Sequence, residues 1–389
     1  MAGENEHKTG YDLALLFITF ALLGIGLVML YSSSSIMAQE RFGDSMYFLK
    51  RQILFVLLGL AALITCKNLP YAVYRRLVYF ILGLSILSLI LVLIPQVGHR
   101  VGGARRWLRF GPVSVQPAEF AKLALVIYVS YSLAKKKDLI KDFSVGFLPH
   151  VVVSSVFIGL VVVQPDLGTA VIFTALVFLL LFVAGVRLRY LLAAGLAVFP
   201  LLALAIAQTS YRWKRLLAFL NPWRDPSDTG FQLIHSLLAL GSGGPSGVGL
   251  GSGQQKLFYL PEAHTDFILA VIGEETGMVG VSLVLILYGL LVYRGVKISL
   301  KAPDSYGTYL ALGLTLVIGL QALINGAVVM GVLPTKGLPL PLISYGGSSL
   351  LTTLAALGIL MNIDGQAKKQ SQGWNTGNWL NPQVARGRA

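Results

Sequence analysis

The chain has little charge. Only 12% of its 389 residues are Asp, Glu, Lys or Arg, where a soluble domain carries roughly 25%. So little charge cannot wet a whole exterior. A water-soluble globule is excluded, and lipid must be the main solvent. Cysteine is nearly missing. Cys66 stands alone, so no intrachain disulfide forms, and no Cys/His spacing matches a structural zinc site. Acid is scarcer than base, and the formal net charge is +14. Nucleic-acid binding would need that excess gathered on one face. Cytoplasmic loops of a membrane protein use it instead, and nucleic acid is not expected as a partner. The short polar N-terminus is followed by an apolar run with no small-residue cleavage site. That run reads as a first span, not a removed signal peptide.

What the chain has is long apolar runs. It is 55% hydrophobic, with a mean hydropathy of +0.73. A span takes about 20 apolar residues. Ten candidates result: 13–31, 49–66, 77–95, 117–133, 145–163, 167–186, 190–207, 266–293, 306–333 and 346–363. All must be helices, because an open sheet cannot satisfy its backbone in lipid. The alternation of barrel strands is absent. The expected fold is all-α: a polytopic bundle of about ten transmembrane helices over 12–363. A cytoplasmic N-terminus (1–11) precedes it. A Gly/Asn/Gln-rich tail (364–389), expected to be disordered in the cytoplasm, follows.

An even number of spans puts both termini on one side. With that side cytoplasmic, 17 Lys and Arg face inward, among them the cluster from Lys135 to Lys141, and 13 face outward. The inner cluster agrees with the positive-inside rule. The outward share opposes it and points to an anionic ligand. Two outer segments are long, 96–116 and 208–265. The second carries Trp213, Phe219, Trp223, Phe231, Phe258 and Tyr259, which argues for order. Its stretch 231–240 reads as a short amphipathic helix at the interface.

Several polar residues sit where the hydrophobic pattern has no use for them. Glu119 and Lys122 share one face of the fourth span, as an ion pair or as functional groups. Asp166 opens the sixth span, where an acid favours the helix dipole. Asp266 lies where the long outer loop re-enters the membrane. It is either an N-cap or a partly desolvated base with a raised pKa; residue type alone leaves both open. His264, with Glu262 and Asp266, is a hydrogen-bonded loop histidine or a metal ligand. An oxygen-rich site of that kind would take magnesium or manganese. Glu274 and Glu275 lie deeper and demand partners. The glycine run 241–253 lacks the strand, helix and Lys of a nucleotide loop; it lets backbone turn or approach closely. Three prolines between Pro334 and Pro341 forbid a regular helix. Such backbone at membrane depth must line protein or a wet cavity, with Lys336 and Ser344 as its polar contributors.

Four stretches carry a resemblance: 116–122 (QPAEFAK), 164–169 (QPDLGT), 259–275 (YLPEAHTDFILAVIGEE) and 334–349 (PTKGLPLPLISYGGSS). They resemble the SEDS family of cell-wall polymerases. Thr335-Lys336-Gly337 is more similar to the division branch, FtsW, than to the elongation branch, RodA. The resemblance implies a peptidoglycan glycosyltransferase acting on lipid II and the nascent glycan strand. It would work at the outer face of the bacterial inner membrane, at the division septum. It implies a class B penicillin-binding protein and other division-complex membrane proteins as partners, and Asp266 as the essential acid. Arg106, Lys122, Lys336 and Ser344 are then the expected substrate-binding groups, and Glu119, Asp166, His264 and Glu275 the supporting ones. The resemblance fixes no cofactor with certainty; a divalent ion, magnesium or manganese, would suit a pyrophosphate leaving group. The alternatives are a lipid II flippase and a non-catalytic division scaffold. The absence of an internal repeat between the two halves weighs against a transporter.

Overall fold

The structure is a computed structural model. It describes residues 11–101, 103–111, 113–207, 215, 217–228, 230–257 and 260–377. Trp213, Phe258, Tyr259 and the end of the tail lie outside the described residues.

Each expected span is a helix. They are α1 (Leu13–Phe42), α2 (Tyr47–Asn68), α4 (Val78–Leu91, after the short α3, Ala72–Arg76), α5 (Pro117–Lys135), α6 (Leu148–Val163), α7 (Leu167–Val183) and α8 (Leu188–Ala207). After helix α9 (Phe231–Gly243) come α10 (Ile268–Lys301), α11 (Ser305–Val329) and α12 (Gly347–Gly377). Their starts follow local chemistry. Asp12 accepts from Leu15 N at 3.1 Å, and Asp304 from Gly307 N at 2.8 Å, both as N-caps. Pro117 opens α5, where its missing N–H costs nothing. Gly43 ends α1 in the left-handed conformation (φ 70°), the usual glycine stop.

Helices α5, α11 and α12 form the middle of the bundle. Helix α2 packs on α12, α11 on α5 and α10, α4 on α5, and α1 on α10. Outward-facing Phe17, Leu57, Phe80, Leu196 and Leu323 are exposed, as a lipid-facing surface requires. Among the described residues, six helices are long and apolar enough to cross a bilayer by themselves. Helix α5 carries Glu119 and Lys122 and is tolerated because almost its whole length is buried among other helices. The chain is a polytopic membrane helical protein.

The structure corrects four details. Helix α1 runs to Phe42, past the expected end at Tyr31, because Ser33 and Ser34 return their hydroxyls to Leu30 O and let the helix continue. Segment 96–116 is a three-stranded antiparallel sheet, β1 (Gly98–Val101), β2 (Ala104–Phe110) and β3 (Val113–Val115). Ala104 and Leu108 turn inward and Arg109 outward, a strand's period of two too short to read with confidence from one sequence. Helix α10 is broken at Gly277 (φ 67°, ψ −164°). The tail expected to be disordered from 364 continues α12 to Gly377. Lys368 pairs with Asp364 at 2.9 Å and Gln366 with Asn362 at 2.7 Å, the i,i+4 spacing that supports a helix.

Candidate active site

The proline segment after α11 is irregular but fully tied down. Gln321 and Asn325, one turn apart on α11, reach into it. Gln321 Nε2 donates to Pro339 O at 2.8 Å. Asn325 Nδ2 donates to Leu338 O at 2.7 Å and to Asp266 O at 2.8 Å. Tyr288 OH donates to Pro341 O, and Tyr345 N to His264 O at 3.0 Å. These bonds satisfy backbone that no helix can serve at this depth. They also join residues 334–345 to the turn that precedes α10. Neither Gln321 nor Asn325 stood out in the sequence. A polar i,i+4 pair inside an apolar span is the signal that would have found them.

Asp266 lies in that turn. It does not cap α10: the capping position is Phe267, and no side chain caps there. The turn is closed by Thr265 N and Phe267 N, both donating to Glu262 O. Glycine at 337 is needed beside it, since a Cβ there would stand 3.0 Å from Asp266 Oδ2. Burial pushes the Asp266 carboxyl up to about 7. The charge of Glu262 adds to that rise, Arg215 and Arg106 oppose it, and Asp166 adds a little more. A carboxyl half ionised at neutral pH is a competent proton acceptor.

Cations come from three elements. Arg106 on β2 donates from Nε to Gln164 O at 3.3 Å and from Nη2 to Pro165 O, so it sits over the start of α7. There Asp166 accepts from Thr169 N at 3.2 Å and from Thr169 Oγ1 at 2.9 Å. Arg215 of the long loop donates to Thr335 O at 3.3 Å. Lys336 is half-buried; burial pulls its pKa down and Asp166 opposes that. The fold therefore gathers Asp266, Arg106, Arg215, Lys336 and Asp166 from five separate stretches at one end of the bundle. Arg215 was among the outward cations in the sequence but was not singled out.

The profile of one family, FTSW_RODA_SPOVE, described as a cell cycle protein, matches residues 13–369. The chain belongs to that family, the SEDS proteins. Within it the chain is most like FtsW. A probable peptidoglycan glycosyltransferase FtsW of Trichlorobacter lovleyi is 48% identical over 358 residues, 92% of this chain and 94% of the relative. The stage V sporulation protein E of Bacillus subtilis is 43% identical, covering 92% of this chain and 97% of its own. Among solved structures, a peptidoglycan synthase complex described for its coordination of polymerization and crosslinking aligns with a TM-score of 0.77. It is 33% identical, covering 92% of this chain and 98% of that one. The rod shape determining protein RodA of Thermus thermophilus aligns with a TM-score of 0.68 at 31% identity, covering 91% and 96%.

Two residues expected to bind substrate in this SEDS protein are buried and bonded to other parts of the chain. Lys122 is 1% exposed. Its Nζ donates to Glu119 Oε1 at 2.8 Å and Gln321 Oε1 at 2.6 Å, so it braces the proline segment from below. A charge in a span is stable only when so paired. Ser344 is buried as well. Its hydroxyl donates to Thr265 O at 2.5 Å and accepts from Leu340 N at 2.8 Å, which leaves it a staple between the two segments.

The supporting residues are placed as follows. His264 packs against Phe48 and Tyr345, with ring centroids 4.8 and 5.9 Å away. Burial holds its pKa below 6.5, against the pull of Glu262. Glu262 accepts from Thr265 Oγ1 at 2.9 Å. Among the described residues, no three His, Cys, Asp or Glu side chains converge as metal ligands. Glu262, His264 and Asp266 do not fit a metal centre of their own. Glu274 and Glu275 are buried and find their partners in the glycine run. Glu274 accepts from the N–H groups of Gln254 (2.7 Å) and Gln255 (3.2 Å). Glu275 accepts from Lys256 Nζ at 2.6 Å and Gly251 N at 3.1 Å.

Proposed function

We propose that the chain is a peptidoglycan glycosyltransferase of the division type. It joins lipid II units into glycan strands at the outer face of the bacterial inner membrane, at the septum, with both termini in the cytoplasm. The relatives named as glycosyltransferases, matched over nearly the whole chain, support the activity. The inner cluster Lys135–Lys141 supports the orientation.

Asp266 is the general base. It takes the proton of the acceptor 4-hydroxyl as that oxygen attacks the donor's anomeric carbon. The bond from that carbon to undecaprenyl pyrophosphate breaks, and the pyrophosphate leaves with the electron pair. The linkage inverts from α to β, so one displacement and one base suffice. A retaining hydrolase would need two carboxylates in close pairing. Charge growing on the pyrophosphate is met by Arg106, Arg215 and Lys336, held in place before reaction. The observation that carries this reading is the Asp266 carboxyl, which caps no helix, is poised near neutral pH and faces cations from separate elements. A flippase or a scaffold has no use for it. The solved complex in which polymerization and crosslinking are coordinated supports a class B penicillin-binding protein as partner.

The test is polymerisation of purified lipid II by the detergent-purified chain with its transpeptidase partner. The native chain should give a ladder of glycan strands and Asp266→Asn none. Normal product from Asp266→Asn would overturn the assignment of the base. A native chain that makes no ladder, with or without partner, would move the weight to transport.

A further inference from the structure

The break in α10 is filled by another part of the chain. In a continuous helix Met278 N and Val279 N would bond to the carbonyls of Glu274 and Glu275. Here Met278 N donates to Gly244 O (2.9 Å) and Val279 N to Pro245 O (3.2 Å). The freed carbonyls accept from Val248 N (3.0 Å) and Gly249 N (3.1 Å). Two helical bonds are exchanged for four with the glycine loop. Only glycine admits this approach. A Cβ at 277 would meet Gly247 N at 2.4 Å, one at 243 Gly273 O at 1.9 Å, and one at 253 Glu274 Oε2 at 2.8 Å.

Side chains lock the insertion. Lys256 and Glu275 form an ion pair at 2.6 Å with side chains 4% and 0% exposed. Lys256 Nζ also donates to Gly251 O at 2.8 Å and Ser32 Oγ at 2.9 Å. Ser32 in turn donates its hydroxyl to the Glu275 carboxylate at 2.7 Å. The lock thus ties α1, the loop and α10 together. The helical piece between the lock and Asp266 is residues 268–276, nine residues or about 13 Å of rod. Its far end is clamped at Glu275 and its near end begins at Ile268, one residue past Asp266's neighbour Phe267. Lys256 precedes Asp266 by ten residues and Glu275 follows it, so the pair joins segments on both sides of the turn.

We propose that Lys256 and Glu275, with Ser32, are positioning residues: their lock fixes the short rod whose other end sets the place of the Asp266 carboxylate. Function rests here on the reading of Asp266 as base. Loosening the lock should misplace and hydrate that carboxylate while leaving the cations of the site untouched. A misplacement of about an ångström lowers a rate roughly a hundredfold.

The experiment compares Lys256→Met, Ser32→Ala and the charge-swapped double variant Lys256→Glu/Glu275→Lys in the full chain with its partner. Lys256→Met should lose about tenfold to a hundredfold in kcat with KM for lipid II within about threefold. The midpoint of its pH–rate curve should fall. Ser32→Ala, which keeps the ion pair and so the fold, should show the same shift at smaller size, and the swap should recover part of the loss. An unchanged kcat and midpoint in both single variants overturns the proposal. A second readout needs no chemistry. In an Asp266→Cys background, maleimide labelling at 266 should speed up when Lys256→Met is added. Equal labelling overturns the proposal even if activity falls. Activity surviving in Asp266→Asn would strike the assignment of the base instead, and the labelling result would stand apart from it.

Discussion

Asn325 holds two carbonyls with one amide nitrogen: Asp266 O at 2.8 Å and Leu338 O at 2.7 Å. Those two residues belong to different loops. One carries the proposed base, and the other follows Lys336 and Gly337. The amide of Asn325 is therefore one of the ties, with Ser344 and Tyr345, that make the two loops one site.

Asn325→Ala should break both bonds and leave two buried carbonyls short of a donor, a loss of about 1–3 kcal/mol for each unsatisfied group. The variant should insert in the membrane and melt at lower temperature in detergent. It should polymerise lipid II at a small fraction of the native rate. A native rate in a variant of unchanged melting temperature would mean the two loops hold their places without it.

The pH dependence follows from the carboxyl at about 7. A base works when ionised, so the rate should rise with pH through about 7 and level off above it. Arg215 and Arg106 hold the value down and Glu262 pushes it up. Arg215→Met should therefore move the midpoint upward, and Glu262→Gln downward. Initial rates across pH 5.5 to 9, a window of about 1.5 units below and 2 above the midpoint, separate these directions.

The same shift has a stability sign. Asp266 binds its proton more tightly folded than unfolded, where the ordinary value is 3.8. Its ionisation therefore costs stability as pH rises between about 4 and 7, and the whole cost is present above 7. Asp266→Asn removes that cost. The variant should melt at an equal or higher temperature than the native chain at pH 8, while making no glycan. A lower melting temperature at pH 8 contradicts this.

Gly337→Ala places a methyl group 3.0 Å from Asp266 Oδ2. The segment is held by Asn325 and Gln321, so the chain should fold normally. The carboxylate must give way, and kcat should drop about tenfold or more. Melting curves together with glycan ladders check both halves of this expectation.

Lys122→Met strands Glu119 in the bundle. Loss of one partner of a buried pair costs about 3–5 kcal/mol, and the variant should express poorly or melt early. Lys122→Met/Glu119→Gln removes both charges and should recover much of that stability. Its lipid II affinity should remain native, since neither side chain lies among the cations around Asp266.

The sequence by itself determined the membrane class, the polytopic helical fold and the suspicion attached to Asp266. Those follow from scarce charge, unbroken apolar runs and a carboxylate at the lip of a span, all local properties. It also put Arg106 and Lys336 on one expected side of the bundle, the side of the long loop. It could not tell whether Asp266 caps α10; the structure decided that it does not, since α10 begins after Phe267. It could not separate Lys336 from Lys122. Both are cations near prolines, yet one edges the cluster and the other is sealed against Glu119 and Gln321. Nor could it see why Glu274, Glu275 and the glycine run occur together. Their meeting depends on a loop inserted into a broken helix, and partners some 20 residues apart are invisible to periodicity. One-dimensional pattern reads what each segment buries. Only packing reads which buried polar groups satisfy one another, because that is settled by a few ångströms between segments distant in the chain.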